Sequence, residues 1–150
     1  MSKLSITTIQ THLQWEDKVS NLSMLEHKIK SIKEETHVVV LPEMFSTGFS
    51  MNAKELAEKM DGATINWMQR ISQEQKIILT GSIIIEENGK FFNRLIWMQP
   101  NGKFGHYDKR HLFAYAEEDK FYSAGSQRLI ATVNGWKRSE EHTSELQSRQ

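Results

Sequence analysis

Val38-Val39-Val40-Leu41 stands directly before a proline, and this short run narrows the fold more than any other part of the chain. A strand covered on one face alternates apolar and polar side chains, whereas an unbroken apolar run marks a strand buried on both faces, as in a parallel sheet. Pro42 ends the run, because proline brings no backbone N–H to a ladder. Upstream, residues 4–10 (LSITTIQ) are rich in β-branched side chains and bounded by polar ones, which predicts a first strand. Between the two, Trp15, Val19, Leu22, Leu25, Ile29 and Ile32 recur at spacings of three and four, predicting the apolar face of a helix that ends near Lys33. Strand, helix, strand is a βαβ unit.

The remainder extends that unit into a mixed sheet. A loop over 43–52, rich in Met, Phe, Ser and Gly, precedes a short helix over 54–60 broken at Asp61-Gly62, then a helix over 65–75 with Ile65, Met68 and Ile71 three apart and Trp67 beside them. Ile77 to Thr80 opens another buried strand, which continues or resumes at Ile83 to Ile85 beyond Gly81. Asn88-Gly89 between two β-rich runs is a strong hairpin signal, and its return strand is read over 91–99. Asn101-Gly102 repeats the device and leads to Phe104-Gly105-His106. Two βα segments followed by an antiparallel meander predict an α/β fold with helices on one face of the sheet. Leu129 to Val133 reads as a strand, Asn134-Gly135 as a turn and Trp136-Lys137 as the start of the next strand. From Arg138 to Ser148 the chain instead resembles a translated sequencing-library adapter, with Leu146 its one apolar side chain. Residues 138–150 are therefore read as a non-native polar tail and excluded from fold reasoning.

Composition removes several classes of function. Lys and Arg number 19, Asp and Glu 19, so no overall field draws in nucleic acid or anionic lipid, and small ligands of neutral or mixed charge fit better. No apolar stretch approaches the length of a bilayer span, and the N-terminus runs straight into strand-like sequence, which gives a cytoplasmic location as the expectation. The chain has no cysteine. Disulfides, thiolate metal sites and thiol chemistry are thereby excluded for these 150 residues.

Few side chains stand where chemistry is done. Glu43 follows the end of a buried strand, where ligands bind in parallel sheets, and is a candidate general base; a loop or capping carboxylate is the plainer alternative. Lys109 lies in Tyr107-Asp108-Lys109-Arg110-His111-Leu112-Phe113, again just past a strand, and competes with a solvated charge run. His111 is a candidate ligand or base, but with no His, Asp or Cys partner at metal spacing a structural role is the plainer alternative. Glu117 and Glu118 read as a solvent-exposed acidic pair.

Together these residues say more. Leu41-Pro42-Glu43-Met44-Phe45, followed by the Tyr107 to Phe113 stretch, resembles the nitrilase superfamily of carbon–nitrogen hydrolases, and within it the bacterial omega-amidase branch. The likeness spans Leu4 to Lys137, so residues 1–137 are read as the N-terminal portion of such a domain, a truncated half of an α-β-β-α sandwich. The resemblance implies Glu43 as general base and Lys109 as the cation beside the tetrahedral intermediate. It makes Glu118 a substrate-orienting glutamate, with the adjacent Glu117 an alternative, and places Phe45 and Phe113 along the pocket. Arg110 or His111 is then left to meet a substrate carboxylate. It implies a keto-acid amide such as 2-oxoglutaramate as substrate, no metal or other cofactor, no nucleic-acid or membrane partner, and a full-length form that is a homodimer or larger. The family nucleophile is a cysteine after the strand that Trp136 begins. Lacking it, the chain as written is expected to be inactive, marginally stable and prone to associate. Two other readings remain: a non-catalytic binding module of the same fold, and an unrelated doubly wound domain with a wholly parallel sheet and no approach of Glu43 to Lys109.

Overall fold

The structure is a computed structural model that describes residues 3–131 and Val133. Its sheet is five-stranded, in the order β1 (Ile6–Thr8), β2 (Val38–Val40), β3 (Ile78–Glu87), β4 (Lys90–Met98) and β5 (Phe104–Asp108). The first three strands run parallel, with Val39 opposite both Thr7 and Leu79, and the last two are antiparallel, with Gly81 opposite Ile96 and Arg94 opposite Asp108. The α/β class and the mixed sheet are as the sequence predicts, and the antiparallel strands remove the wholly parallel alternative. β3 runs unbroken through Gly81 for ten residues, so Ile83 to Ile85 continue the strand rather than resume it. Asn88 and Gly89 both have positive φ, 53° and 76°, as a tight hairpin turn with two left-handed central residues requires.

One face of the sheet carries the two long helices. Helix α1 (Lys18–Lys30) and helix α3 (Ala63–Gln75) bring Leu25, Ile29, Met68 and Ile71 onto Val39, Leu79, Ile83, Ile85, Ile96 and Met98; the one-turn α2 (Ala53–Leu56), between them in sequence, packs instead through Ala53 and Leu56 with Met44, Ile84 and Tyr122. The predicted face of α1 is correct from Leu22 onward and fails at its start. Trp15 precedes the helix and Val19 is exposed. Asp17 is the reason for the later start, since its carboxylate accepts the Ser20 N–H at 3.0 Å and caps the first turn. The wholly buried Asn21 fixes the rotation: its amide donates to the carbonyls of Gln14 at 2.7 Å and Ser46 at 2.9 Å and accepts from the Gln14 N–H at 2.7 Å.

Glu26 ties the two helices together, accepting from Arg70 at 2.6 Å, Lys30 at 2.7 Å and the Trp67 indole at 3.2 Å. The Arg70 hydrogen bond, then that of Lys30, holds its carboxyl down at about 2 against an ordinary 4.5. A carboxylate depressed in the folded state adds stability that is fully present above its unfolded value and lost as the pH falls through the folded one. Glu26→Gln is therefore expected to lower the thermal midpoint at neutral pH, by no more than the roughly 1 kcal/mol of a largely solvated cluster, and to flatten its acid slope between pH 4.5 and 2, where the two proteins converge. A melt series with identical acid slopes for both proteins would refute this.

Two further expectations meet the structure differently. Leu129, Ile130, Ala131 and Val133 are not in a strand, contrary to the sequence reading; a strand exists only through a ladder, and none of the described residues pairs with them. The Asn134-Gly135 turn, Trp136-Lys137 and the 138–150 tail lie outside the described residues. No helix among the described residues is long and apolar enough to cross a membrane.

Candidate active site

The face of the sheet opposite the helices holds a cavity of about 690 Å³, lined by Val40, Leu41, Gly81, Ser82, Leu95 and Tyr107 from the strands and by Glu43, Phe49, Asn93, Lys109, His111, Leu112 and Phe113. A sharp reversal after β2 delivers the first charge. Met44 takes a left-handed φ of 47°, a conformation costly for a residue with a side chain. It is held by its N–H donating to Ser82 Oγ at 2.9 Å and by the Phe45 N–H donating to the Ser82 carbonyl at 3.2 Å. The turn leaves Glu43 on the cavity side and drives Phe45 the other way.

Phe45 is thus not a pocket residue, contrary to the sequence reading. It is wholly buried in the helix-side core, 5.9 Å from the Trp67 ring, and Gly81 is what makes room for it, since a Cβ there would lie 2.7 Å from the Phe45 ring. Phe49 takes the place expected of it. Its ring lies 5.3 Å below the Lys109 ammonium and 6.5 Å from Phe113, which continues to Tyr115 at 6.0 Å and is half exposed at the cavity rim. His111 lies on the lining with its side chain toward solvent; Arg110 does not line the cavity.

Lys109 follows β5 immediately and is registered by its N–H donating to the Asn93 carbonyl at 2.9 Å. Its ammonium donates to Glu43 Oε1 at 2.8 Å and Glu118 Oε2 at 3.0 Å, closing a gap of 66 positions in sequence. Glu118 is completely buried and also accepts the Phe113 N–H at 2.6 Å. Burial pulls the Lys109 pKa down, but the hydrogen bonds and charges of Glu43 and Glu118 outweigh it and hold the ammonium above its ordinary range. The acidic pair is resolved by backbone geometry: Glu117, at a left-handed φ of 62°, turns outward to Lys120 at 2.8 Å and starts helix α4 (Glu118–Phe121), whose first side chain points inward. Tyr122, at the end of that turn, donates its hydroxyl to the Ser50 carbonyl at 2.6 Å, and burial, then the charge of Glu118, pushes its pKa up. Gly125 donates its N–H to the Lys109 carbonyl at 3.0 Å. A Cβ there would fall 2.2 Å from the Asp108 carbonyl oxygen, so only glycine fits.

The residue that the sequence did not single out is Asn93. Only 2% exposed, it donates from Nδ2 to Glu43 Oε1 at 2.7 Å and to Glu118 Oε1 at 3.1 Å. The available signal is an amide, beside Arg94, among the apolar side chains of β4, since a buried amide demands partners. Among the described residues no group of three His, Cys, Asp or Glu is arranged to hold a metal ion; the lysine itself occupies the position between the carboxylates.

The model of the carbon–nitrogen hydrolase family matches residues 5–135. The chain belongs to that family. Among its relatives, the omega-amidase YafV of Yersinia enterocolitica is 38% identical over 137 residues, and that of Escherichia coli K12 is 36% identical, each alignment covering 91% of this chain and 53% of the relative. The 2-oxoglutaramate amidase of Bacillus subtilis is 26% identical, over 91% of this chain and 54% of its own length. A carbon–nitrogen hydrolase superfamily protein from Xanthomonas campestris superposes with a TM-score of 0.86 at 35% identity, covering 90% of this chain and 51% of that one. The chain thus spans about half the length of the carbon–nitrogen hydrolases it matches, and its sheet is that of the nitrilase superfamily.

Proposed function

We propose that this chain supplies the proton-transfer and charge-stabilising side of an amidase site that acts on the terminal amide of a keto acid such as 2-oxoglutaramate. The observation that carries the reading is Lys109 held between Glu43 and Glu118, at 2.8 and 3.0 Å, in a cavity with a largely apolar lining. Hydrolysis of an unactivated amide needs a nucleophile, a group that moves protons and a fixed positive charge near the developing oxyanion. In this reading a thiol loses its proton to Glu43 and its sulfur bonds to the carbonyl carbon. Lys109 faces the oxyanion, and Glu43 returns the proton to the departing nitrogen, which leaves as ammonia. Water then attacks the thioester, gives a proton to Glu43, and the C–S bond breaks to release the acid and restore the thiol. Glu118 orients Lys109, Phe49 and Phe113 flank the substrate, and His111 at the rim meets its carboxylate. The names and identities of the omega-amidase relatives support the substrate class.

No cysteine occurs in these 150 residues, so the thiol stands outside them and the chain alone is expected to release no ammonia. The same absence favours a second reading, a module of this fold that holds a keto acid without turning it over. Residues 1–137 as hydrolase and 138–150 as a foreign tail, a cytoplasmic location, and a homodimer or larger as the active form belong to the first reading.

The deciding experiment is ammonia release from 2-oxoglutaramate by the 150-residue chain and by the protein expressed from the intact locus. The latter is expected to be active, and to lose about 10²–10⁴-fold with Glu43→Gln and about 10²–10³-fold with Lys109→Met. Calorimetric binding of the amide without release by the intact product would select the module, and neither binding nor release would end both readings.

A further inference from the structure

We infer that Asn93 is a positioning residue that clamps the two carboxylates and decides which oxygen of Glu43 does the proton transfer; the inference rests on the amidase reading for that last step. Its Nδ2 carries two hydrogens, and the geometry uses both, one toward Glu43 Oε1 at 2.7 Å and one toward Glu118 Oε1 at 3.1 Å. With Lys109 donating to Glu43 Oε1 and Glu118 Oε2, the four side chains close a ring in which each donor bridges the two acids. Glu43 Oε1 thus receives two hydrogen bonds, while Glu43 Oε2 has no hydrogen-bond partner among the described residues. An oxygen that already accepts from an ammonium and an amide has much of its electron density engaged, so the free oxygen is the better proton acceptor. Glu43 lines the cavity with a side chain 48% exposed, which leaves room for its free oxygen to face a reacting group.

The clamp is built rather than incidental. Asn93 sits on β4 opposite Ile84 of β3, its own carbonyl accepts the Lys109 N–H, and the residue is 2% exposed. One residue thereby sets the backbone position of the cation and the side-chain orientation of both anions. Without the amide, the half-exposed Glu43 carboxylate is free to rotate and present either oxygen to Lys109. The cost is then paid in alignment of the proton transfer, not in substrate binding.

Two measurements test this. In the protein from the intact locus, Asn93→Leu is expected to lower kcat about 100-fold with KM unchanged, and Asn93→Ser, which keeps one donor, to fall between; a KM effect alone or an unchanged kcat overturns the assignment. In the 150-residue chain, NMR of the Asn93 side-chain amide requires no hydrolysis and no change at Asn93. Glu43→Ala is expected to move one of its two protons upfield and Glu118→Gln the other. Protons that respond together, or to neither change, overturn the clamp even if the intact protein is an amidase. Separate responses uphold it even if the intact protein hydrolyses nothing.

Discussion

Lys109→Met is expected to destabilise the fold by about 3–5 kcal/mol, the cost of leaving a buried charge without its counterion. Glu118 is completely inaccessible and Lys109 is 15% exposed, so neither can replace the other with water. The remaining donors to Glu118, the Asn93 amide and the Phe113 N–H, are neutral and do not balance a charge. Glu43 lies on the same ammonium but is half exposed, so it turns to solvent when the lysine is lost, and Glu43→Gln is expected to cost little stability. The double change Lys109→Met with Glu118→Leu should recover most of the loss, because an apolar pair of similar volume needs no compensation. There is also a pH signature. Because the Lys109 pKa is raised in the folded state, its contribution is fully present below an ordinary 10.5 and fades as the pH rises through the folded value. The parent should therefore lose stability at alkaline pH in a way that Lys109→Met does not. Urea titrations with equal slopes would measure all three proteins, and a single-variant loss under about 1 kcal/mol, the range of solvated pairs, would show that Glu118 is not dependent on this cation.

Sheet and helices were legible because their signals are local. Val38 to Leu41 needs only its own four side chains to announce a strand with two covered faces, and Asn88-Gly89 needs only the preference of two residues for positive φ. The start of α1 was not, because two polar contacts decide it: the Asp17 cap and the buried Asn21 amide reaching to Ser46, 25 residues away. Periodicity counts Trp15 and Val19 as face residues and has no way to weigh such a pin. In the site, Glu43, Lys109 and Glu118 were marked by motif, and the choice between Glu117 and Glu118 was not, since it turns on one left-handed φ. Phe45 was misplaced for a similar reason. Neighbouring residues in a loop are assumed to share a surface, but the reversal at Met44 puts Glu43 and Phe45 on opposite faces of the sheet. Asn93 is not legible alone, because a polar residue beside Arg94 in a strand carries meaning only once its partners, 50 and 25 positions away, are known.

The helix-side face holds a second buried charge, and Asp108→Ala is expected to destabilise the fold by about 3–5 kcal/mol. Arg94 is 1% exposed in the middle of β4, directly opposite Asp108 of β5. It donates to both carboxylate oxygens of Asp108, at 2.6 and 3.0 Å, to Glu87 at 3.1 and 3.3 Å, and lies 5.4 Å from the centre of the Phe92 ring. Burial lowers the Arg94 pKa, but the hydrogen bonds of Asp108 and Glu87 more than offset it. A guanidinium cannot in any case shed its proton to escape an unpaired state. Glu87 is 48% exposed and holds Arg94 through a solvated contact, so it does not substitute for Asp108, and Glu87→Ala should cost far less. Arg94→Met with Asp108→Leu should again recover most of the loss. The effect also reaches the site on the other face. β5 is five residues long and ends at Asp108, and the next residue is Lys109. Hydrogen exchange at Tyr107 and Lys109 amides should therefore accelerate in Asp108→Ala more than at β2, where no contact to Arg94 exists. Equal acceleration everywhere would mean that the pair supports global stability alone, and an unchanged melt would mean that Glu87 suffices as counterion.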